Sequence, residues 1–434
     1  MLLLDQLNGN PGACQKNRRL VLSETKPSVE LLKGASEYFP SLIEAIDAAR
    51  SSVYLESYLI HNDPPTQAVL QAMIRARERM VEVYLMLDGF GSSGQIAWVK
   101  DQLAGHGVHV EVYRPGVKWL APQTWRRLHR KLALIDESIG FVGGVNLIGD
   151  RYDIAWGMLS EPRLDFAVSV TSLRVVDTIS RTMRRLFWRV SLRAVFRGDF
   201  RRFLQAKQRH EEFIKVRDAW RRSRRHLRRR RLFTAGQVSR RVRLLLRNNF
   251  QYRRSIERWY LSRIREARHE VLIANAYFVP TLRFREVLIQ AAARGVRVRL
   301  LIQGNSDQWW THWVTQALIE ELLESGVEVY QYMSSFLHAK VAVIDHAVTV
   351  GSSNIDPFSL MMSLEANVVA DVPGLAKQLS KEIEAAIEQS SRRVLPSRHR
   401  MTPMRALARR ITLTFSLAAL RAFIAFSRTE FRVR

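Results

Sequence analysis

One pattern of apolar segments occurs twice along this chain of 434 residues. The first copy begins with the β-like segment 53–60 and the second with 271–278, and each segment is followed by proline. A segment of helical periodicity and a further strand come next, and then a second helix and strand. Such self-similarity indicates one supersecondary unit built twice. Because strands that alternate with helices are typical of α/β folds, we expect two similar α/β lobes.

The same polar motif closes each copy of the repeat. Its members are a histidine, a lysine two residues later, an aspartate, a glycine and an asparagine: His129, Lys131, Asp136, Gly143 and Asn146 in the first copy, and His338, Lys340, Asp345, Gly351 and Asn354 in the second. Side chains two apart share one face of a strand, so each histidine and its lysine point the same way. A single His-x-Lys pair is a weak signal. Two matched sets at the same point of a repeat predict one shared active site.

The charge balance predicts a polyanionic partner. The chain has 68 lysines and arginines against 41 aspartates and glutamates, a formal charge of +27, which favours nucleic acid or an anionic membrane surface without choosing between them. Cys14 is the only cysteine, which excludes an internal disulfide and fits a reducing, cytoplasmic-side location. The first residues lack the pattern of a signal peptide, and no segment reaches the ~20 apolar residues of a spanning helix. If the protein meets a membrane, we expect it to lie on the surface.

An arginine-rich segment separates the two copies. It covers residues 181–247 and is densest at 221–231, where the charge predicts a solvated helix or contact with an anionic surface. We therefore divide the chain into a first lobe, a basic and mainly helical insertion, a second lobe and a C-terminal tail: residues 20–180, 181–247, 248–390 and 391–434.

Two further segments are candidates for membrane contact. Residues 404–426 of the tail combine helical apolar spacing with arginines, which suits an anionic bilayer or, alternatively, docking on the protein's own core. Trp309, Trp310 and Trp313 form either an interfacial wedge or packed aromatics of the lobes. The extra positive charge of the tail favours the membrane.

The doubled motif resembles the phospholipase D superfamily, in which two such motifs form one site. The resemblance covers both lobes and implies that each is a mixed sheet flanked by helices, with one active site at the interface of the lobes. The segments 86–89, 274–278, 350–354 and 364–367 are similar to the bacterial cardiolipin synthases, particularly the B type. One departure is that five residues separate Asp345 from Gly351, whereas six separate Asp136 from Gly143. This difference predicts a shorter turn in the second lobe.

The resemblance implies a role for each polar residue of the motifs. His129 is assigned as the nucleophile that attacks phosphorus and His338 as the acid and base, since an imidazole titrates near neutrality. Four side chains are expected to stabilise the phosphate by charge or hydrogen bonds: Lys131, Lys340, Asn146 and Asn354. This stabilisation is electrostatic, so neither a metal ion nor a cofactor is expected.

Each histidine also needs a partner that fixes its tautomer, normally a carboxylate on the other ring nitrogen. Asp165 and Glu365 are the candidates, because both lie in apolar strand-like segments where an unpaired carboxylate is costly. A structural salt bridge is the alternative for both. By the resemblance, Asp165 orients His129 and Glu365 orients His338. Asp136 and Asp345 complete the catalytic motifs as strand-end residues.

The resemblance implies cardiolipin synthesis. His129 would take a phosphatidyl group from phosphatidylglycerol, release glycerol and pass the group to a second phosphatidylglycerol. A phospholipase D-type hydrolase and a nuclease are the alternatives, because the motif supports both and the positive charge also suits DNA. The amphipathic tail argues against nucleic acid as a partner. A catalytically silent lipid-binding scaffold would be expected to lack a motif residue, and both motifs are complete. We expect a peripheral protein on the cytoplasmic face of a bacterial cell membrane, with anionic phospholipid as partner.

Overall fold

A computed structural model describes residues 29–116, 126–154, 156–197, 241–248, 252–304, 318–356 and 363–396. Several predicted features lie outside these residues and are not tested by the structure. They are Cys14, the arginine run 221–231, the tail helix 404–426 and the tryptophans Trp309, Trp310 and Trp313.

The first lobe contains ten strands and four helices among the described residues. In chain order they are β1 (Val29–Lys33), α1 (Gly34–Asp47), β2 (Ser52–Ser57), α2 (Pro64–Glu78), β3 (Glu82–Asp88), α3 (Ile96–Gln102), β4 (His109–Tyr113), β5 (Arg127–Leu128), β6 (Lys131–Ile135), β7 (Ile139–Gly143), β8 (Tyr152–Asp153), β9 (Gly157–Met158), β10 (Phe166–Val170) and α4 (Leu173–Arg197).

The second lobe repeats this order. Its elements are β11 (Val242–Arg247), α5 (Ser255–Glu266), β12 (Glu270–Asn275), α6 (Leu282–Ala293), β13 (Arg297–Gln303), β14 (Glu328–Tyr332), β15 (Lys340–Ile344), β16 (Ala347–Gly351), β17 (Ser363–Asp371), α7 (Pro373–Ser390) and β18 (Ser391–Val394). Residues 318–324, between β13 and β14, are also helical.

The two sheets have the same topology. The first runs β1-β10-β7-β6-β2-β3-β4 and the second runs β11-β17-β16-β15-β12-β13-β14, with β18 added at the far edge. Strands β2, β3 and β4 pair in parallel in the first sheet, and β12, β13 and β14 do so in the second. The other neighbouring pairs in these two orders are antiparallel. This confirms the predicted repeat and the mixed α/β lobes.

The lobes share a central hydrophobic core. Buried residues of β6, β7 and β10 form one cluster with those of β15, β16 and β17, and helices α4 and α7 close it. A separate cluster fills the outer face of each sheet, beneath α1 to α3 in the first lobe and beneath α5 and α6 in the second. The motif strands β6 and β15 are buried at every position. Their continuous apolar sequence therefore reflects burial on both faces.

Three predicted domain boundaries differ from the sheets. Residues 242–247, assigned to the insertion, form β11 and pair with β17 in the second lobe. Residues 391–394, assigned to the tail, form β18 and pair with β14. Helix α4 begins at Leu173, before the predicted start of the insertion at 181. Each of these segments is strongly basic or adjoins a strongly basic segment, so its composition did not indicate the lobe to which it belongs.

Candidate active site

The ends of the two motif strands meet where the lobes touch. Strand β5 crosses from the first lobe and pairs in parallel with the start of β17. A matching bridge joins Leu164 to Leu337. The backbone N–H of His129 donates to the carbonyl of Leu364 at 3.1 Å, and that of His338 donates to the carbonyl of Leu164 at 2.8 Å. Each motif histidine is therefore bonded to the backbone of the opposite lobe.

The carboxylate partner of each histidine also comes from the opposite lobe. The Nδ1 atom of His129 lies 3.1 Å from the nearest carboxylate oxygen of Glu365, and Nδ1 of His338 lies 2.6 Å from Oδ2 of Asp165. The predicted pairing of Asp165 with His129 and of Glu365 with His338 is therefore wrong. The observed pairing follows from the backbone hydrogen bonds between the lobes. Each carboxylate directly follows the leucine whose carbonyl accepts the N–H of the other lobe's histidine.

Burial and nearby cations favour the neutral form of both imidazoles. Burial lowers the pKa of His129, although the charge of Glu365 opposes the shift. The pKa of His338 lies well below its usual value because of burial and because Lys340 and Arg163 are close. A neutral imidazole that donates from Nδ1 to a carboxylate has its lone pair on Nε2. In both histidines Nε2 is thus the atom available for chemistry.

The two carboxylates differ in their protonation behaviour. The pKa of Glu365 would be raised by burial, but His129 and Lys131 outweigh this effect and lower it, with a further contribution from the Ser352 hydroxyl, which donates at 2.5 Å. Burial raises the pKa of Asp165 to about 6, although Lys340 opposes the shift. Glu365 is therefore firmly ionised at neutral pH, whereas Asp165 titrates close to it.

Both motif lysines are buried beside their own histidines. The Nζ atom of Lys131 donates to the carbonyl of His129 at 2.8 Å, and Lys340 makes the same bond to the carbonyl of His338. Burial lowers their pKa values to about 8 for Lys131 and about 7 for Lys340. Two lysine amino groups thus lie at the site, and in their protonated forms they are poorly hydrated and strongly favour a bound anion.

The motif asparagines are buried after strands β7 and β16. Oδ1 of Asn146 accepts the backbone N–H of Leu59 at 3.3 Å, which turns the amide NH₂ group away from that bond. Asn354 is 6% exposed. The next residue, Ile355, donates its backbone N–H to Oδ1 of Asn275 at 3.1 Å. The two asparagines lie at equivalent positions of the lobes, each three residues after the glycine that ends β7 or β16.

The motif aspartates contact backbone rather than the histidines. Asp136 accepts the N–H groups of residues 50, 51 and 52 at 2.7–2.9 Å, and Asp345 accepts those of residues 268, 269 and 270 at 3.0 Å. A whole strand separates each aspartate from its histidine. The turn that contains Asp345 is one residue shorter than the turn that contains Asp136, as the motif spacing predicted.

Two residues that the sequence reasoning missed hold the segments before the histidines. Asp88 ends β3 and accepts the N–H of Leu128 at 2.7 Å, whereas Gln303 ends β13 and accepts the N–H of Leu337 at 2.5 Å. The charge of the Asp88 carboxylate also opposes the lowering of the Lys131 pKa by burial. Superposing the two copies of the repeat would have placed Asp88 opposite Gln303, so the signal was present in the sequence.

Other equivalent positions also differ between the half-sites. The Tyr58 ring lies 4.9 Å from the His129 ring, and the next residue after β12, at the equivalent position, is Ala276. Gly144 is equivalent to Ser352, and a Cβ atom at Gly144 would lie 2.1 Å from a carboxylate oxygen of Asp165. The backbone of the site is therefore symmetric, while its side chains are not.

These groups together suit displacement at a phosphodiester. Two imidazole Nε2 atoms can serve as nucleophile and as proton carrier. Two ammonium groups and two amides can stabilise the charge of the non-bridging oxygens. The histidine side chains are only 17% and 13% exposed, so the reacting group must enter a recess between the lobes.

Comparison with known proteins gives one family and several relatives. A family model described as cardiolipin synthase, PLD-like domain, matches residues 42–185 and 260–387. Cardiolipin synthase B of Escherichia coli strain K12 is 32% identical over 377 residues, which cover 85% of this chain and 84% of that protein. A minor cardiolipin synthase of Bacillus subtilis is 25% identical over 392 residues, covering 90% of this chain and 89% of that one.

Solved structures share the fold. The phosphatidylserine synthase of Haemophilus influenzae Rd KW20 aligns with a TM-score of 0.60 over 92% of this chain and 95% of its own, at 13% identity. The polyphosphate kinase of Porphyromonas gingivalis aligns with a TM-score of 0.51 over 88% of this chain and 52% of its own, also at 13% identity.

Among the described residues, none of the helices has the length and apolar character needed to cross a bilayer.

Proposed function

Because this chain belongs to the cardiolipin synthase family with phospholipase D-like domains, we propose that it transfers a phosphatidyl group between two phosphatidylglycerol molecules. The observation that carries the proposal is the pair of histidines in one recess, each with Nδ1 on a carboxylate of the opposite lobe. That arrangement provides two Nε2 atoms for one phosphodiester. A transfer in two steps requires one nucleophile and one proton carrier, which are the two groups present.

In the first half-reaction, Nε2 of His129 attacks phosphorus and the bond from phosphorus to the glycerol oxygen breaks. Protonated His338 gives its Nε2 proton to that oxygen, so glycerol leaves as the neutral alcohol. The pKa of His338 is low in the free site because the imidazole is buried and because cations lie near it. A bound phosphodiester supplies negative charge that raises this pKa, so substrate binding itself favours the protonated acid.

In the second half-reaction, neutral His338 accepts the hydroxyl proton of a second phosphatidylglycerol. The hydroxyl oxygen bonds to phosphorus, the bond from phosphorus to His129 breaks, and cardiolipin leaves. Lys131, Lys340, Asn146 and Asn354 stabilise the phosphate oxygens through both steps. Water must be kept from replacing the second lipid, and the low solvent exposure of both histidine side chains is consistent with this requirement.

The carboxylates act as positioning residues in this scheme. Glu365 holds the Nδ1 proton of His129, which leaves the Nε2 lone pair directed at phosphorus. Asp165 does the same for His338 and stabilises its imidazolium form. Asp136 and Asp345 hold the turns at the other ends of the motif strands through their backbone hydrogen bonds. We assign them a structural role rather than a catalytic one.

We further propose that the protein acts as a peripheral protein at the cytoplasmic face of a bacterial cell membrane, with anionic phospholipid rather than nucleic acid as its partner. The formal charge of +27 supports attraction to such a surface. The relatives named cardiolipin synthase support a lipid substrate.

The proposal is tested with vesicles of radiolabelled phosphatidylglycerol and, separately, with DNA, both in the presence of a chelator. We expect cardiolipin and glycerol in equal amounts, and loss of both products in His129→Ala. His106→Ala changes an exposed histidine of the first lobe and should keep full activity. Cleavage of DNA without any lipid product would refute the proposal, and phosphatidic acid as the main product would indicate a hydrolase.

The roles of the two histidines are separated with a phosphatidyl ester of p-nitrophenol, whose leaving group needs no acid. His338→Ala should retain a burst of p-nitrophenol, because His129 can still attack. Glu365→Gln should reduce the burst rate by roughly two orders of magnitude or more, since the tautomer of His129 is no longer fixed. A burst that survives in His129→Ala but not in His338→Ala would exchange the two roles.

A further inference from the structure

A short hairpin beside the active site exposes a cluster of apolar side chains. Strands β8 and β9 form this hairpin, and on it Ile154, Trp156 and Met158 are 56%, 57% and 75% exposed. Single exposed apolar residues are common on protein surfaces, but three within five residues of sequence are typical of an interaction site. None of the proposed catalytic steps uses them.

The base of the hairpin is held firmly to the lobe. The Arg163 guanidinium donates to the carbonyls of Tyr152 and Gly149, the latter at 3.3 Å. The Tyr152 ring stacks on the His61 ring with centroids 4.0 Å apart and planes inclined by 11°. These contacts give the exposed tip a fixed direction, so its apolar side chains are presented to the surroundings without folding back.

The same base connects the hairpin to the reacting groups. Arg163 directly precedes Leu164, whose carbonyl accepts the N–H of His338, and Asp165 follows. The carboxylate of Asp165, two residues after Arg163, lies 2.6 Å from Nδ1 of His338. The hairpin therefore extends from the segment that carries the partner of one catalytic histidine.

We propose that this hairpin enters the interfacial region of an anionic phospholipid bilayer and brings the recess between the lobes to the level of the lipid phosphates. Tryptophan favours the headgroup region of a bilayer, and isoleucine and methionine favour the adjoining acyl boundary. The choice of a lipid partner rests on the proposed function. The net charge of +27 provides the long-range attraction, while the hairpin provides the apolar contact.

The size of the cluster favours a bilayer over a protein partner. A stable protein interface buries on the order of 800 Å² on each side, whereas three side chains offer only about 200–400 Å². Insertion into a bilayer needs no complementary partner surface, so a small apolar tip is sufficient when charge adds to it.

The experiment measures flotation of the protein with phosphatidylglycerol vesicles in the His129→Ala background, where no turnover occurs. Replacing Trp156 and Met158 together by serine should weaken vesicle binding about tenfold or more. The control is Met80→Ser, because Met80 is 83% exposed but lies between α2 and β3, at the opposite end of the sheet from the site. This control should bind vesicles like its parent.

Two further measurements decide between outcomes. On vesicles, the double variant in the otherwise native chain should lose most of its transfer activity, yet it should retain activity on dispersed short-chain phosphatidylglycerol. Phosphatidylglycerol with brominated acyl chains should quench less tryptophan emission in Trp156→Phe than in the parent. Unchanged vesicle binding by the double variant would overturn the proposal, as would loss of self-association in sedimentation without loss of vesicle binding. Hairpin-dependent vesicle binding without cardiolipin formation by the native protein would refute the proposed function alone.

Discussion

Replacing Lys340 by methionine is expected to stabilise the fold while abolishing transfer. The side chain is fully buried, and burial lowers the pKa of its ammonium group from the usual 10.5 to about 7. At pH 6 the charge is present in both the folded and the unfolded chain, so the folded state bears the full cost of burying it. At roughly 1.4 kcal/mol for each pH unit between the two pKa values, this cost is about 5 kcal/mol.

The pH dependence separates this charge effect from packing. As pH rises above 7, the folded protein loses the Lys340 proton while the unfolded chain retains it up to 10.5, so the stability of the native protein increases. At pH 9 the remaining cost is about 2 kcal/mol. Asp165 acts in the same direction, because without the Lys340 charge its pKa rises further and its ionisation at pH 9 costs the variant stability. The advantage of the variant should therefore decrease by about 2–3 kcal/mol or more between pH 6 and pH 9.

Urea titrations of the native protein and Lys340→Met at both pH values measure this difference. Methionine has a similar length, so its packing effect is nearly the same at the two pH values and cancels. Lys100→Met, on the exposed surface of the first lobe, should show the pH dependence of the native protein. An advantage of the variant that is equal at pH 6 and pH 9 would show that Lys340 is not charged at a cost in the folded state, and the reasoning would fail.

Two other aspartates have different expected effects. Asp88→Asn keeps an acceptor for the Leu128 amide but removes a charge that raises the pKa of Lys131, so the pKa of Lys131 should fall by about half a pH unit or more, measured by NMR titration of the lysine side chain. Gln303→Asn, which changes no charge, should leave the pKa of Lys131 unchanged. Asp136→Ala should lower the free energy of unfolding at pH 7 by roughly 1–3 kcal/mol, measured by urea titration, with activity of the folded protein retained. Because backbone hydrogen bonds lower the pKa of Asp136 despite its partial burial, the loss should shrink as pH falls through that pKa.

The sequence alone was sufficient for the lobes and for most of the residues at the site. Apolar periodicity and the repeat predicted the strands on either side of β6 and β15, because burial on both faces leaves a continuous apolar signature. The matched polar residues predicted that His129 and His338 share a site, because two complete sets of the same groups at the same point of a repeat are not expected by chance. Both predictions depend on local pattern, which sequence records directly.

The pairing of the carboxylates could not be obtained in the same way. Asp165 and Glu365 lie after their own motifs in sequence, so proximity along the chain favoured partners within one lobe. The actual partners follow from β5 pairing with β17 and from the bridge between Leu164 and Leu337, which join residues far apart in sequence. Such contacts depend on how the two lobes pack, and no periodicity within either lobe reports it. The place of β11 in the second sheet was hidden for a similar reason, since its partner is β17.

The near-symmetry of the site bears on why two lobes share one chain. In an assembly of two identical subunits, every substitution is present on both sides of the axis, so a carboxylate at the position of Asp88 could never face an amide at that of Gln303. A duplication within one gene removes that restriction, and each half can then acquire its own electrostatics. The exchanged carboxylates also make the halves mutually dependent, because each supplies the partner of the other's histidine. Neither half could be lost, or inherited separately, without leaving an unsupported histidine in the other.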